Sequence, residues 1–129
     1  MNTERFRHYI LGIDSIDNQH RELFNNINII SELYDKKKLT IKEFEILQTQ
    51  LERHFREEEV LMKSVGYPFV LSHTEWHNQL EAKIVEFIQR FNLSDKKMII
   101  NFLEEMIINH IDNTDRNFSE WCVNNAVLV

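Results

Sequence analysis

Hydrophobic positions along the chain recur in alternating steps of three and four, the spacing of one buried helix face. Ile16, His20, Leu23, Ile27, Ile30 and Tyr34 form a first stripe. Phe44, Leu47, Leu51, His54, Glu58, Leu61 and Val65 form a second, and Val70, His73, His77, Leu80, Ile84, Phe87 and Phe91 a third. Ile99, Leu103, Met106 and His110 form a fourth. Each break between stripes carries end signals. Thr40 and Glu43 have capping-box spacing, with Leu39 and Phe44 placed as a hydrophobic staple. Gly66 suits a helix stop, and Pro68 the first turn of the next helix, with Ser72 and Glu75 as a rival start. Ser94 and Asp95 can cap the fourth helix. Short turns make successive helices antiparallel. The pattern therefore predicts an all-α fold, an up-down-up-down four-helix bundle, as a single domain over residues 1–129. Residues 1–15 form an N-terminal arm and 117–129 a short C-terminal tail, neither with a pattern that fixes its structure; the apolar end of the tail, residues 126–129, is expected to pack.

Composition sharpens this picture. Only 2 Gly and 1 Pro occur in 129 residues, which favours long helices and leaves no glycine-rich loop for a phosphate. A net charge of −6 disfavours nucleic acid and anionic membrane as partners. The basic run Lys36-Lys37-Lys38 reads as a solvated turn. One cysteine, Cys122, excludes an internal disulfide framework and a thiolate metal site. The start lacks the apolar core of a signal peptide, and no apolar run approaches transmembrane length. A soluble, cytoplasmic protein is expected.

The candidate chemistry lies in what occupies the stripes. Of 6 histidines, five fall on core positions, as does Glu58 one turn after His54. A single inward histidine is usually a hydrogen-bonded core residue. Five imidazoles and a carboxylate facing one core are another matter, because a buried polar group without a partner costs roughly 1–3 kcal/mol and a carboxylate more. A metal centre satisfies them together, taking lone pairs from neutral imidazole and offsetting carboxylate charge. All donors are nitrogen or oxygen, and they outnumber the needs of one tetrahedral ion, so two ions with bridging carboxylates are implied.

The segments around these residues resemble the hemerythrin family, in particular its single-domain bacterial members. Ile16-Asp17-Asn18-Gln19-His20 looks like the family's first-helix motif, and His54-Phe55-Arg56-Glu57-Glu58 like its second. Tyr67-Pro68 with His73 and His77 looks like the third, and His110-Ile111 with Asp115 like the fourth. The likeness runs from about Gly12 to Asp115. It implies two non-haem iron ions: one bound by His73, His77 and His110, the other by His20 and His54. Glu58 and Asp115 would bridge them, together with one oxo or hydroxo oxygen from solvent. One coordination position would stay open on the iron held by two histidines, and dioxygen would bind there. By analogy Leu23, Phe55, Met106, Ile107 and Ile111 would line the pocket, although each also reads as ordinary core. Met106 stands where relatives often carry tryptophan, and Arg5 and Phe6 stand in an arm where a tryptophan is also common. His8 has no counterpart and reads as a surface residue, while Trp76, beside a ligand but off the stripe, has no assigned role.

Asp115 is the difficult ligand. Five residues beyond His110 is about 140° around an ideal helix. Either the helix widens or ends there, or Asp115 points elsewhere; π-type turns do cluster at functional sites. Reversible dioxygen binding, as carrier, store, delivery protein or sensor, is the expected function, with no enzymatic activity. Ferritin-like di-iron bundles use carboxylate-rich sites, whereas this one is rich in imidazole with one open position. A di-iron enzyme acting on nitric oxide or peroxide, or repairing iron–sulfur clusters, is the alternative, and a structural zinc bundle a third. An unidentified protein accepting oxygen from this one would be a further partner.

Overall fold

A computed structural model describes residues 10–93 and 95–129. Its elements are α1 (Asp14–Asp35), α2 (Ile41–Ser64), α3 (Val70–Gln89) and α4 (Lys96–Asn109), then a π-helical turn (His110–Asp115) and α5 (Arg116–Asn124). No strand occurs among the described residues. α1 packs on α2, α2 on α3, and α4 returns to α1, closing the antiparallel four-helix bundle.

The ends form largely as their sequences dictate. Glu43 accepts from the Thr40 backbone N–H at 3.0 Å, completing the capping box, and Leu39 packs against the cluster containing Phe44. Gly66 adopts φ +74°, a left-handed stop that glycine adopts without strain. Asp95 caps α4 by accepting from the Lys97 and Met98 N–H groups; Ser94, the other proposed cap, lies outside the described residues, as do Arg5, Phe6 and His8. The lysine turn is exposed. The start of α3 differs from both expectations. Phe69 occupies the N-cap, Pro68 falls before the helix, and the Ser72 hydroxyl donates to the Phe69 carbonyl instead of capping.

Most stripe residues are buried, while Tyr34, Leu61, Val65, Val70 and Phe87 are only partly so. The main apolar core runs through Ile27, Ile30, Phe44, Leu47, Ile99 and Leu103. A smaller one joins Ile16, Met62 and Tyr67 to Phe118 and Cys122. This second core corrects the reading of residues 117–129 as a tail without readable structure: α5 continues the last helix through Asn124 and buries Phe118 and Cys122. Of the apolar end, Val127 packs against the smaller core and Leu128 is 98 % exposed. Ser119 donates to the Leu11 carbonyl at 2.8 Å, and the Asp17 carboxylate accepts from the Leu11 and Gly12 N–H groups. These bonds tie the approach to α1 onto α5.

Candidate metal centre

Three helices and the π turn bring seven side chains to one point inside the bundle. His20 comes from α1, His54 and Glu58 from α2, His73 and His77 from α3, and His110 and Asp115 from the π turn. None is more than 4 % exposed. His54/Glu58 and His73/His77 share a face because residues four apart differ by only about 40° around a helix. Asp115 reaches the same face because the helix widens over His110–Asp115. The π turn, with its i→i+5 bonds, carries residue i+5 back over residue i. Its sequence, His-Ile-Asp-Asn-Thr-Asp, has weak helix formers throughout. The Thr114 hydroxyl also donates to the His110 carbonyl at 2.5 Å, drawing that carbonyl into a side-chain bond.

The donors fall into two sets that overlap at the carboxylates. His73, His77, His110, Glu58 and Asp115 offer atoms within 4.8 Å of one another, and so do His20, His54, Glu58 and Asp115. Each carboxylate divides its oxygens between the sets. Glu58 Oε1 is 2.6 Å from His73 Nε2 and 3.1 Å from His77 Nε2, while its Oε2 is 3.3 Å from His54 Nε2. Asp115 Oδ1 is 2.9 Å from His110 Nε2 and 3.2 Å from His73 Nε2, while its Oδ2 is 2.7 Å from His20 Nε2.

Several of these atoms have no hydrogen-bond partner despite complete burial: Nε2 of His54, His77 and His110, Glu58 Oε2 and Asp115 Oδ1. Each such atom costs about 1–3 kcal/mol if left unsatisfied. All are donors to a cation, and imidazole nitrogen with carboxylate oxygen suits first-row transition ions. The electrostatics agree. Burial disfavours a charged Glu58, as does Asp115 beside it, yet His54, the hydrogen bond from His73 and the nearby His77 ring hold its carboxyl below the usual range. Burial also opposes charge on Asp115, and the surrounding imidazoles hold it well below normal. Burial opposes protonation of His73 too, but the Asp115 and Glu58 carboxylates against its ring raise its pKa to about 9. For His54, likewise, burial is outweighed by the Glu58 and Asp115 carboxylates, and the pKa rises. Two buried carboxylates kept ionised call for compensating positive charge, which bound cations would supply.

The outward ring nitrogens are held by residues that the sequence reading missed. His54 Nδ1 donates to Gln19 Oε1 at 2.6 Å, and His77 Nδ1 to Glu59 Oε2 at 2.7 Å. His110 Nδ1 donates to the Thr114 hydroxyl at 2.7 Å. Protonated Nδ1 leaves Nε2 as the lone-pair donor facing inward. Beyond them, Gln19 donates to Glu57, and Arg56 pairs with Glu59 at 3.2 Å and with Glu81 at 2.7 Å. Gln19 and Glu59 each sit one residue from a ligand; polar, buried neighbours of stripe positions were the available signal. Phe55 stacks on His77 with ring centroids 4.0 Å apart, and Trp76, left without a role above, stacks on His110 at 4.6 Å.

Leu23, Phe55, Met106, Ile107 and Ile111 are all buried in the main apolar core. A surface groove of about 550 Å³ involves none of them. It runs between α3 and α5, walled by Tyr67, Trp76 and Trp121, and it includes His73 and Thr114. No helix among the described residues is long and apolar enough to cross a membrane.

A family model described as Hemerythrin HHE cation binding domain matches residues 11–122. The chain is 35 % identical over 121 residues to a bacteriohemerythrin of Clostridium acetobutylicum, covering 84 % of this chain and 92 % of that protein. It is 33 % identical over 98 residues to a bacteriohemerythrin of Campylobacter jejuni (73 % and 69 %), and 28 % over 117 residues to one of Stenotrophomonas maltophilia (85 % and 74 %).

Proposed function

Because the chain belongs to the hemerythrin family, we propose that it binds dioxygen reversibly at two non-haem irons and acts as a binding protein, not an enzyme. His73, His77 and His110 would hold one iron and His20 and His54 the other, with Glu58 and Asp115 shared between them. The observation that carries this reading is the division of each carboxylate's oxygens between the two imidazole sets. A carboxylate serving a single ion would have no reason to present its second oxygen to a separate pair of rings. When bound, the iron pair supplies the reversible two-electron chemistry that dioxygen uptake requires.

The chain's own residues do the rest. Gln19, Glu59 and Thr114 fix the ring tautomers and orientations. Phe55, against His77 and His110, restricts the motion of both rings. Leu23, Met106, Ile107 and Ile111 present apolar surface that excludes water and the protons it carries, which favours release of dioxygen unchanged. Three imidazoles against two would make the ions unequal, and the His20 and His54 set, with fewer protein donors, would leave room for dioxygen. The acceptor of that oxygen would be a separate protein.

The test is direct. The purified, iron-loaded, reduced protein is exposed to air and then placed under vacuum. A colour that appears and reverses is the expected result. Irreversible bleaching, or turnover of added peroxide or nitric oxide, would favour an enzyme, and a protein colourless throughout would exclude the iron pair.

A further inference from the structure

The seven clustered side chains are almost wholly buried, so an external electron donor can approach them only where one of them borders a surface groove. Reversible binding, the reading on which this inference rests, leaves a fraction of the protein oxidised and inactive, and that fraction needs electrons from outside. The groove between α3 and α5 is where residues in contact with the cluster meet solvent. His73 belongs to the cluster and lines the groove. Trp76 lines it too and lies nearly parallel to His110, 11° between planes at 4.6 Å. Thr114, also in the lining, accepts from His110 Nδ1.

The groove's chemistry defines its ligand. Tyr67, Trp121 and Phe69 add aromatic surface to that of Trp76, and Phe69 is 61 % exposed at the edge. Asn117, Glu120 and Asn124 bring side-chain acceptors, and among the described residues no lysine or arginine lines the groove. Aromatic walls with a few acceptors suit a flat ring system bearing N–H groups, and the lack of a basic residue disfavours a phosphorylated one. The volume, about 550 Å³, suits a molecule of several fused rings.

We propose that this groove binds a reduced isoalloxazine, a neutral dihydroflavin, and that its electrons reach the oxidised iron pair through Trp76 and His110. The balance is simple. The dihydroflavin loses its N1–H and N5–H bonds, giving oxidised flavin, two protons and two electrons. The protons leave to solvent through the open groove, and each ferric ion takes one electron to become ferrous.

The chain has 2 tryptophans and both line the groove, so their emission reports occupancy without reference to iron chemistry. The full iron-loaded chain is titrated with riboflavin. Saturable quenching is expected, with affinity lowered at least roughly tenfold in Phe69→Ala, a change at an exposed ring that the fold tolerates. Photoreduced riboflavin is then mixed anaerobically with the oxidised protein and the ferric absorbance followed. Trp76→Leu should slow its decay at least roughly tenfold at matched occupancy, judged from quenching of Trp121, and Trp76→Phe should restore most of the rate. Absence of saturable quenching, or quenching unchanged in Phe69→Ala, overturns the site. Trp76→Leu protein reduced as fast as the parent overturns the route. Two irons per chain without quenching sinks this inference and leaves the function reading standing. Quenching in a chain that holds no iron keeps the ligand site and sinks the function reading and the electron route together.

Discussion

Along α1 the buried stripe passes from His20 through Leu23 to Ile27 and Ile30, and along α2 it runs from Phe44 and Leu47 to His54 and Glu58. Because the helices are antiparallel, the same four stripes build an apolar region toward one end and, toward the other, a polar one flanked by the smaller core. In the apolar region each side chain is satisfied by its neighbours, as with Phe44 edge-on to Phe91 at 5.4 Å. In the polar region six buried nitrogen and oxygen atoms of the seven clustered side chains lack any hydrogen-bond partner. Equal burial thus has opposite meanings: the apolar end is complete in the protein alone, and the polar end is completed by metal.

The largest way to break this contrast is to remove iron. The unsatisfied atoms then each cost about 1–3 kcal/mol unless water enters, so several kcal/mol of stability should be lost. A thermal melt after chelation should show a midpoint well below that of the loaded protein. Identical melts would mean the two regions do not differ. Leu47→Ala is the counterpart at the apolar end, at a residue with no exposure. It should cost about 2–5 kcal/mol by denaturant unfolding, and the iron content of the folded protein should stay unchanged. Loss of iron in Leu47→Ala would show that the ends are coupled.

Glu59→Gln sharpens the comparison within the polar end, because it keeps the shape of the His77 partner and removes its charge. Iron affinity measured against a competing chelator should fall by roughly 10–100-fold, the usual cost of losing such a partner. An affinity equal to the parent's would reduce Glu59 to an ion-pair partner of Arg56. The smallest effect concerns Leu23, one turn after His20 and 1 % exposed. Leu23→Asn should keep both irons and hasten loss of the oxygenated form, compared with Leu33→Asn, a half-buried position off the stripe. Equal rates in the two variants would remove Leu23 from the dioxygen pocket.

What was legible in the sequence follows the range of the interactions. The stripes, the Thr40–Glu43 box, the Gly66 stop and the Asp95 cap are set within a few residues, so spacing and side-chain chemistry reveal them. His20, His54, Glu58, His73, His77 and His110 were legible because polar side chains at core positions break the expected pattern. Asp115 was not readable by spacing: its position depends on a helix that widens, which an ideal period cannot express. Glu59 bonds to a ring 18 residues away and Gln19 to one 35 away, and such contacts exist only once helices are packed. The same holds for α5, whose buried face, Phe118 and Cys122, is too short to stand out as a stripe, and for the groove, whose walls come from α5 and from in and around α3.

The central claim is that two overlapping donor sets hold two irons and share Glu58 and Asp115. Metal analysis of the full chain, purified from iron-supplied cells, tests it most directly. Two irons per chain are expected. One metal per chain, or zinc in place of iron under iron-replete conditions, would contradict it.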